Sequence, residues 1–174
     1  AFLEQGPKML VDLERRAGIA FRPFMSAPDY RQDHPGAASG GRALEPMPFD
    51  GRLLGEDFAR LAWPLRELML FGGMMITRAE AARADRSIPS MWLGLRLMAR
   101  YVKDRIRYPR GTRLVLGNAL VARLTKAAMD RGVKILTGVQ CRKLVLENGR
   151  LAGVTASRAG KDFAVEGAYG VILA

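Results

Sequence analysis

Three zones of the chain differ in how apolar and polar positions alternate. In the first, Leu3, Leu10 (with Met9) and Leu13 recur at helical spacing while Lys8, Asp12 and Arg15 point elsewhere, which predicts an amphipathic helix. Gly6-Pro7 lies early in it, where proline suits the first turn, and Ala17-Gly18 ends it. Ile19-Ala20-Phe21-Arg22 reads as a short strand. Residues 23–48, rich in proline and glycine, read as a long loop, and a loop of that length inside a compact domain is functional or disordered.

The second zone predicts helices. Gly55 to Trp63 and Leu65 to Phe71 are short apolar-faced segments divided by Pro64 and stopped by Gly72-Gly73. Thr77-Arg78-Ala79-Glu80 has capping-box spacing and starts a helix through about Ala84. Met91 to Arg105 forms a stronger helix, with Leu95, Met98 and Val102 on one stripe. Met69, Met74, Met75, Met91 and Met98 read either as core filling or as the lining of an apolar cavity.

The third zone alternates helix and strand. Arg113-Leu114-Val115-Leu116 leads through Gly117-Asn118 into a helix with Leu120, Val121, Leu124, Ala127 and Ala128 on one face, capped by Gly132. Val133 to Thr137 reads as a buried strand, and Val139 to Leu146 as another. Asn148-Gly149 marks a hairpin before Leu151 to Ala156. Gly160-Lys161 turns the chain into Asp162 to Val165, and Tyr169 to Ala174 has the apolar run of a central parallel strand.

Composition narrows the class. The 174 residues suit one domain, 49% are apolar, and mean hydropathy is close to zero, as in a folded protein. No apolar run approaches the roughly 18 residues that span a bilayer, and the start lacks a basic n-region. A soluble, cytoplasmic protein is the expectation. Cys141 and His34 are the sole cysteine and histidine, which excludes an internal disulfide, a cysteine-rich metal site and a serine triad built on a second histidine; no metal is expected. Cys141 reads as a small core residue or a nucleophile, and His34 as a surface histidine. The net charge of +11 is densest at Arg96, Arg100, Lys103, Arg105, Arg107, Arg110 and Arg113, with only Asp104 opposing. No groove-entering motif or stacking aromatics accompany it. That stretch reads as a solvated helix face and tail, and no nucleic-acid partner is expected. The alternatives are a basic nucleic-acid-binding module and a non-catalytic scaffold.

The third zone resembles flavoproteins of the fumarate reductase and succinate dehydrogenase superfamily. The elements that carry the resemblance are Gly117-Asn118-Ala119-Leu120, Gly132-Val133-Lys134-Ile135-Leu136, Thr137 to Leu144, Asn148-Gly149-Arg150-Leu151-Ala152-Gly153-Val154, and Gly170-Val171-Ile172-Leu173-Ala174, in that order. Upstream, Ala27-Pro28-Asp29-Tyr30, Pro35-Gly36, Gly41 to Pro46, Phe49 to Gly55 and Arg110-Gly111-Thr112 are similar to the 3-ketosteroid dehydrogenase branch.

The resemblance implies an α/β fold: part of a Rossmann-like FAD-binding domain with an antiparallel meander and a helical insertion. Residues 1–112 would be its loop-rich and helical part, and 113–174 its helix, parallel strands and meander. It implies FAD as cofactor and oxidation at CH–CH bonds of a small hydrophobic carbonyl compound, a 3-ketosteroid or a fumarate-like enoate. Tyr30 matches a tyrosine near the reacting carbons, and its other reading is a loop tyrosine packed by Phe24. Val139 matches a backbone contact to adenine, and Ala174 the residue before a turn close to the nucleotide. Gly117 and Asn118 open a helix and either face a phosphate or cap it. The sequence has no G-x-G-x-x-G. It is therefore expected to be an internal fragment that is inactive alone, holds FAD weakly and self-associates through an unpaired strand edge.

Overall fold

A computed structural model describes residues 2–77, 79–80 and 87–173. They form two units, residues 1–132 and 133–174. In the first, the amphipathic pattern folds as predicted into α1 (Phe2–Ala17), although it starts early enough that Pro7 lies inside the helix rather than in its first turn, with Arg15 and Arg16 in its last turn where the helix dipole favours cations. Gly18 takes φ 63° and ends it. The Gly18 amide donates to the Glu14 carbonyl and the Ile19 amide to that of Leu13, both at 3.1 Å, a left-handed glycine closure, and Ile19 is completely buried.

The next strand, β1 (Phe21–Pro23), pairs antiparallel with β2 (Leu44–Pro46), so the long loop leaves and returns at one place. β3 (Phe49–Asp50) pairs with β6 (Arg113–Leu114). Between them a 3-10 segment, Gly51–Arg60, bends at Gly55 and drives Leu54 and Phe58 inward. They join Phe49, Leu61, Met75, Leu114, Val115, Ala119 and Ala122 in the core. Gly51 has to be glycine here, since a Cβ would stand 2.4 Å from the Phe58 ring.

The expected helix from Leu65 to Phe71 does not form. Arg66–Leu68 is a single 3-10 turn, followed by β4 (Met69–Leu70) and β5 (Met74–Met75) in a hairpin. Phe71 and Gly72 both take positive φ, so Gly72, expected with Gly73 only to stop a helix, instead helps fold the chain back on itself. At Thr77 the capping box is reciprocal. The Thr77 amide donates to Glu80 Oε2 (2.8 Å) and the Glu80 amide to Thr77 Oγ1 (3.2 Å). The helix expected to run on to Ala84 lies outside the described residues.

α2 (Ile88–Arg107) starts a turn earlier than the periodicity predicts, because Ser87 caps it and Pro89 suits its first turn. Its stripe does not lie in the core. Leu95 and Val102 are exposed, and the face turned inward carries Tyr101 and Asp104. α3 (Leu116–Met129) follows β6 and ends near Gly132, whose φ is 72°. Arg123 on α3 fastens this unit by donating to the carbonyls of Gly18, Met47 and Pro48 at 3.2, 3.1 and 2.9 Å.

The second unit is an antiparallel meander, β7 (Gln140–Glu147), β8 (Arg150–Arg158) and β9 (Lys161–Glu166), as the alternating pattern predicts. Asn148-Gly149 forms the first turn, and the second is Ala159-Gly160, one residue earlier than expected. The parallel strands expected at Val133 to Thr137 and from Tyr169 onward are not assigned as strands among the described residues. A hairpin carries its own partner, whereas a parallel strand depends on neighbours brought by long crossovers. The α/β class therefore holds at the level of helices with antiparallel sheets. Cys141 is exposed, which removes its reading as a core residue, and His34 lies on the surface.

Candidate functional site

The long loop is ordered by polar contacts that its composition hid. β1 and β2 are joined by an ion pair from Arg22 to the buried Glu45 (2.7 Å). The Phe24 amide then donates to the Ala43 carbonyl (2.7 Å) and the Gly41 amide to that of Phe24 (3.1 Å). Gly40 passes so close to Met25 that a Cβ would meet its carbonyl oxygen at 1.9 Å. At the neck of the loop, Asp29 does the tying. Its backbone amide donates to the Ala38 carbonyl (3.0 Å), and its Oδ2 accepts from the Ala38 amide (2.9 Å) and from Arg42 Nη1 (2.8 Å). Arg42 Nη2 closes the ring on the Gly36 carbonyl (2.7 Å).

Tyr30 is the residue after that anchor. Its side chain is 106% exposed and makes no hydrogen bond to a described residue, so it does not pack beneath Phe24. A fixed neck with a free phenol at its rim can present one hydroxyl to a body arriving from outside. Nothing in apolar periodicity marks Asp29 or Arg42. The signal available was their opposite charge at the two ends of a glycine-rich loop.

At the start of α3, Val115 occupies the cap position with no side-chain hydrogen bond, and Leu116 takes φ 51°. Gly117 is exposed and a Cβ there would meet open space. Asn118 does not cap the helix; its Nδ2 donates to the Ala62 carbonyl (3.2 Å). The first-turn amides are thus free of a side-chain cap, a donor set that suits an anionic oxygen. Val139 is half-buried just before β7, in the other unit, and Ala174 lies outside the described residues.

Behind α3's start sits a polar cluster that sequence reading treated as surface charge. Arg110 is 2% exposed, and its guanidinium donates to the carbonyls of Ala62 (2.9 Å) and Leu61 (3.0 Å), with that of Phe58 at 3.5 Å. It also lies over the rings of Phe58 and Trp63, 4.7 and 5.3 Å from their centroids. Burial lowers its pKa from the usual guanidinium value. Asp104 Oδ2 accepts from the Thr112 amide (2.8 Å) and hydroxyl (2.7 Å), which ties α2 to the segment entering β6.

Of Met69, Met74, Met75, Met91 and Met98, three line a hollow of about 950 Å³ between the β4–β5 hairpin and the first half of α2. Met74, Met91 and Met98 share it with Leu70, Phe71 and Trp92, while Met75 lies in the core.

The whole chain, residues 1–174, matches a family model described as FAD binding domain. It is 32% identical over 178 residues to a 4-oxocyclohex-2-ene-1-carboxylate 5-dehydrogenase of Sinomonas cyclohexanicum, covering 99% of this chain and 30% of that protein. It is 31% identical over 181 residues to a 3-oxosteroid 1-dehydrogenase of Comamonas testosteroni, covering 99% and 31%. A crystal structure of 3-ketosteroid delta1-dehydrogenase from Sterolibacterium denitrificans, in complex with 1,4-androstadiene-3,17-dione, superposes with a TM-score of 0.78 at 30% identity, over 95% of this chain and 31% of that one. The chain spans about 30% of the length of the curated relatives it matches.

Proposed function

Since the chain belongs to the FAD binding domain family, we propose that it serves a flavin-dependent dehydrogenase acting on CH–CH bonds of oxo-substituted rings. The relatives support the substrate class, because a cyclohexene carboxylate and a steroid enzyme share an oxo group near the carbons that lose hydrogen. The single observation that carries the site is Tyr30, a phenol presented beside a charge-fixed neck in the loop that resembles the ketosteroid branch.

FAD, when bound, supplies the hydride acceptor. The chain's own contribution is proton handling and placement. Tyr30 Oη, as the phenolate, would take the proton from the ring carbon next to the one that loses hydride and become the neutral phenol, and Asp29 with Arg42 holds the loop that presents it. The uncapped amides at Gly117 and Asn118 fit a phosphate oxygen of the cofactor. By the family resemblance, the Val139 backbone would hold the adenine when FAD is bound, and the role expected of Ala174 falls outside the described residues. Residues 133–137 and 169–173 supply strands of a Rossmann-like sheet in a polypeptide of its relatives' length, in a cytoplasmic setting.

The test uses the full-length protein with a 3-oxosteroid, a 4-oxocyclohexene carboxylate and an artificial electron acceptor. Tyr30→Phe should lower kcat by roughly 10²-fold or more while flavin content stays at the parent level. Asp29→Ala should lower turnover too, with added mobility of residues 30–37 in exchange measurements. Flavin and turnover lost in equal measure, or neither lost, would return Tyr30 to a passive role.

A further inference from the structure

Two segments of the chain meet at the base of the loop that carries Tyr30, and three polar side chains hold them together. Asp29 and Arg42 close the neck. Asp29 Oδ2 accepts from the Ala38 amide and from Arg42, which reaches on to the Gly36 carbonyl. The Ala38 amide thus goes to the carboxylate of Asp29, and the Asp29 carbonyl is taken up by Gln32. Gln32 Nε2 donates to the carbonyls of Asp29 (2.8 Å) and Ala38 (3.0 Å), so one carboxamide spans both sides of the neck. Both partners are acceptors, which requires the amino end of the carboxamide, with its two protons, to face them.

The Asp29 carbonyl has a particular place in the chain. It belongs to the planar peptide unit that joins Asp29 to Tyr30. Holding its oxygen restrains rotation of that plane, which is rotation about ψ of Asp29 and φ of Tyr30, and the aim of the phenol depends on both. On the other side of Tyr30, the His34 amide donates to the Arg31 carbonyl (3.3 Å), and the Arg31 guanidinium is engaged with Asp33 at 2.9 and 2.7 Å. The peptide before Tyr30 and the turn after it are therefore both tied, while none of these contacts uses the phenol, which is exposed. Asp29 and Arg42 join the two segments, and Gln32 sets the peptide plane. These are separate tasks.

We propose that Gln32 is a positioning residue, which fixes the Asp29–Tyr30 peptide plane and with it the direction of the Tyr30 phenol. Its bearing on turnover rests on the reading of Tyr30 as the group that takes the proton. Gln32 moves no proton itself. Water competes for both of its hydrogen bonds at this exposed position, so their loss leaves the fold intact.

The experiment uses the full-length protein with FAD bound, a 3-oxosteroid and an artificial electron acceptor. Gln32→Ala should lower kcat about tenfold, as a slightly misplaced reacting group does, with KM and flavin content at the parent values. Gln32→Glu keeps the shape but sets a carboxylate against two carbonyl oxygens, so it should lose as much or more. In a Tyr30→Phe background each change should cost less than about twofold, because the hydroxyl that Gln32 aims is gone. Biosynthetic fluorotyrosine adds a readout free of turnover. The fluorine signal that vanishes in Tyr30→Phe should change position in Gln32→Ala and in Gln32→Glu. Three results would each overturn the proposal: a fluorine signal unmoved by either substitution; Gln32→Glu at the parent kcat; or Gln32→Ala costing as much in the Tyr30→Phe background as in the parent. A moved signal together with full turnover in Tyr30→Phe would strike the reading of Tyr30 as the base and uphold Gln32 as the residue that aims its side chain.

Discussion

Replacing Asp104 separates the contribution of its shape from that of its charge. The carboxylate is 4% exposed, and one of its oxygens accepts two hydrogen bonds from Thr112, itself wholly buried. A hydrogen bond to an ionised acceptor contributes about 1.5–3 kcal/mol, and a buried donor left unpaired costs about 1–3. Asp104→Ala removes the acceptor of both the Thr112 amide and hydroxyl, so the expected loss is about 3–5 kcal/mol. Asp104→Asn keeps an oxygen in place and loses the charge assistance, which predicts a loss of about 1–2 kcal/mol. Against a total of roughly 5–15 kcal/mol for a folded domain, the alanine change is severe and the asparagine change tolerable. Urea unfolding followed by tryptophan emission measures both, because Trp63 and Trp92 lie in the first unit and report on it alone. The slope with urea should stay constant while the midpoint falls. Equal losses in the two variants, or losses below about 0.5 kcal/mol in both, would refute the reasoning, since Thr112 would then be finding other partners.

Arg110→Lys should cost about 2 kcal/mol or more, because an ammonium cannot span three carbonyls or stack on two rings as the guanidinium does; urea midpoints measure the loss, and Arg110→Lys at parent stability would contradict it. Asp50 is partly buried, which works against its ionisation, but hydrogen bonds from Arg52 and the nearby charge of Arg100 outweigh this and hold its carboxyl below the ordinary range. A depressed folded value means stability present above about pH 4 and lost as pH falls through that value. Asp50→Asn, which can still cap the 3-10 segment but no longer pairs with Arg52 and Arg100, should therefore be less stable than the parent at neutral pH by about 0.5–1 kcal/mol; the gap should close in acid, and a gap unchanged down to about pH 3 would sink the assignment.

Elements that carry their own partners were legible in the sequence. α1 and its glycine stop, the Thr77–Glu80 box, the Asn148-Gly149 hairpin and the three meander strands all rest on contacts between residues close along the chain. The family resemblance was legible for a related reason: glycines and turn residues in the third zone occur in a fixed order. Local pattern failed at Leu65 to Phe71, where the apolar positions suit a helix face and a hairpin equally. Pairing of Met69 with Met75 and Leu70 with Met74 decided for the hairpin.

Sequence alone determined that this chain folds, which short-range turns and caps it uses, and that it resembles a flavin-binding family, because these depend on composition and on neighbours within a few residues. Tertiary structure decided where the charges and apolar stripes lie. Arg110 and Arg96 read alike in a basic run, yet one is sealed among carbonyls and rings and the other stands exposed on α2. Tyr30 and Tyr101 are both single phenols, yet one is held out by Asp29 and the other is tied inward to Phe71. Periodicity gives the side of a helix on which a residue sits, but which side meets protein depends on segments distant in the chain, and those meet only once the chain has folded.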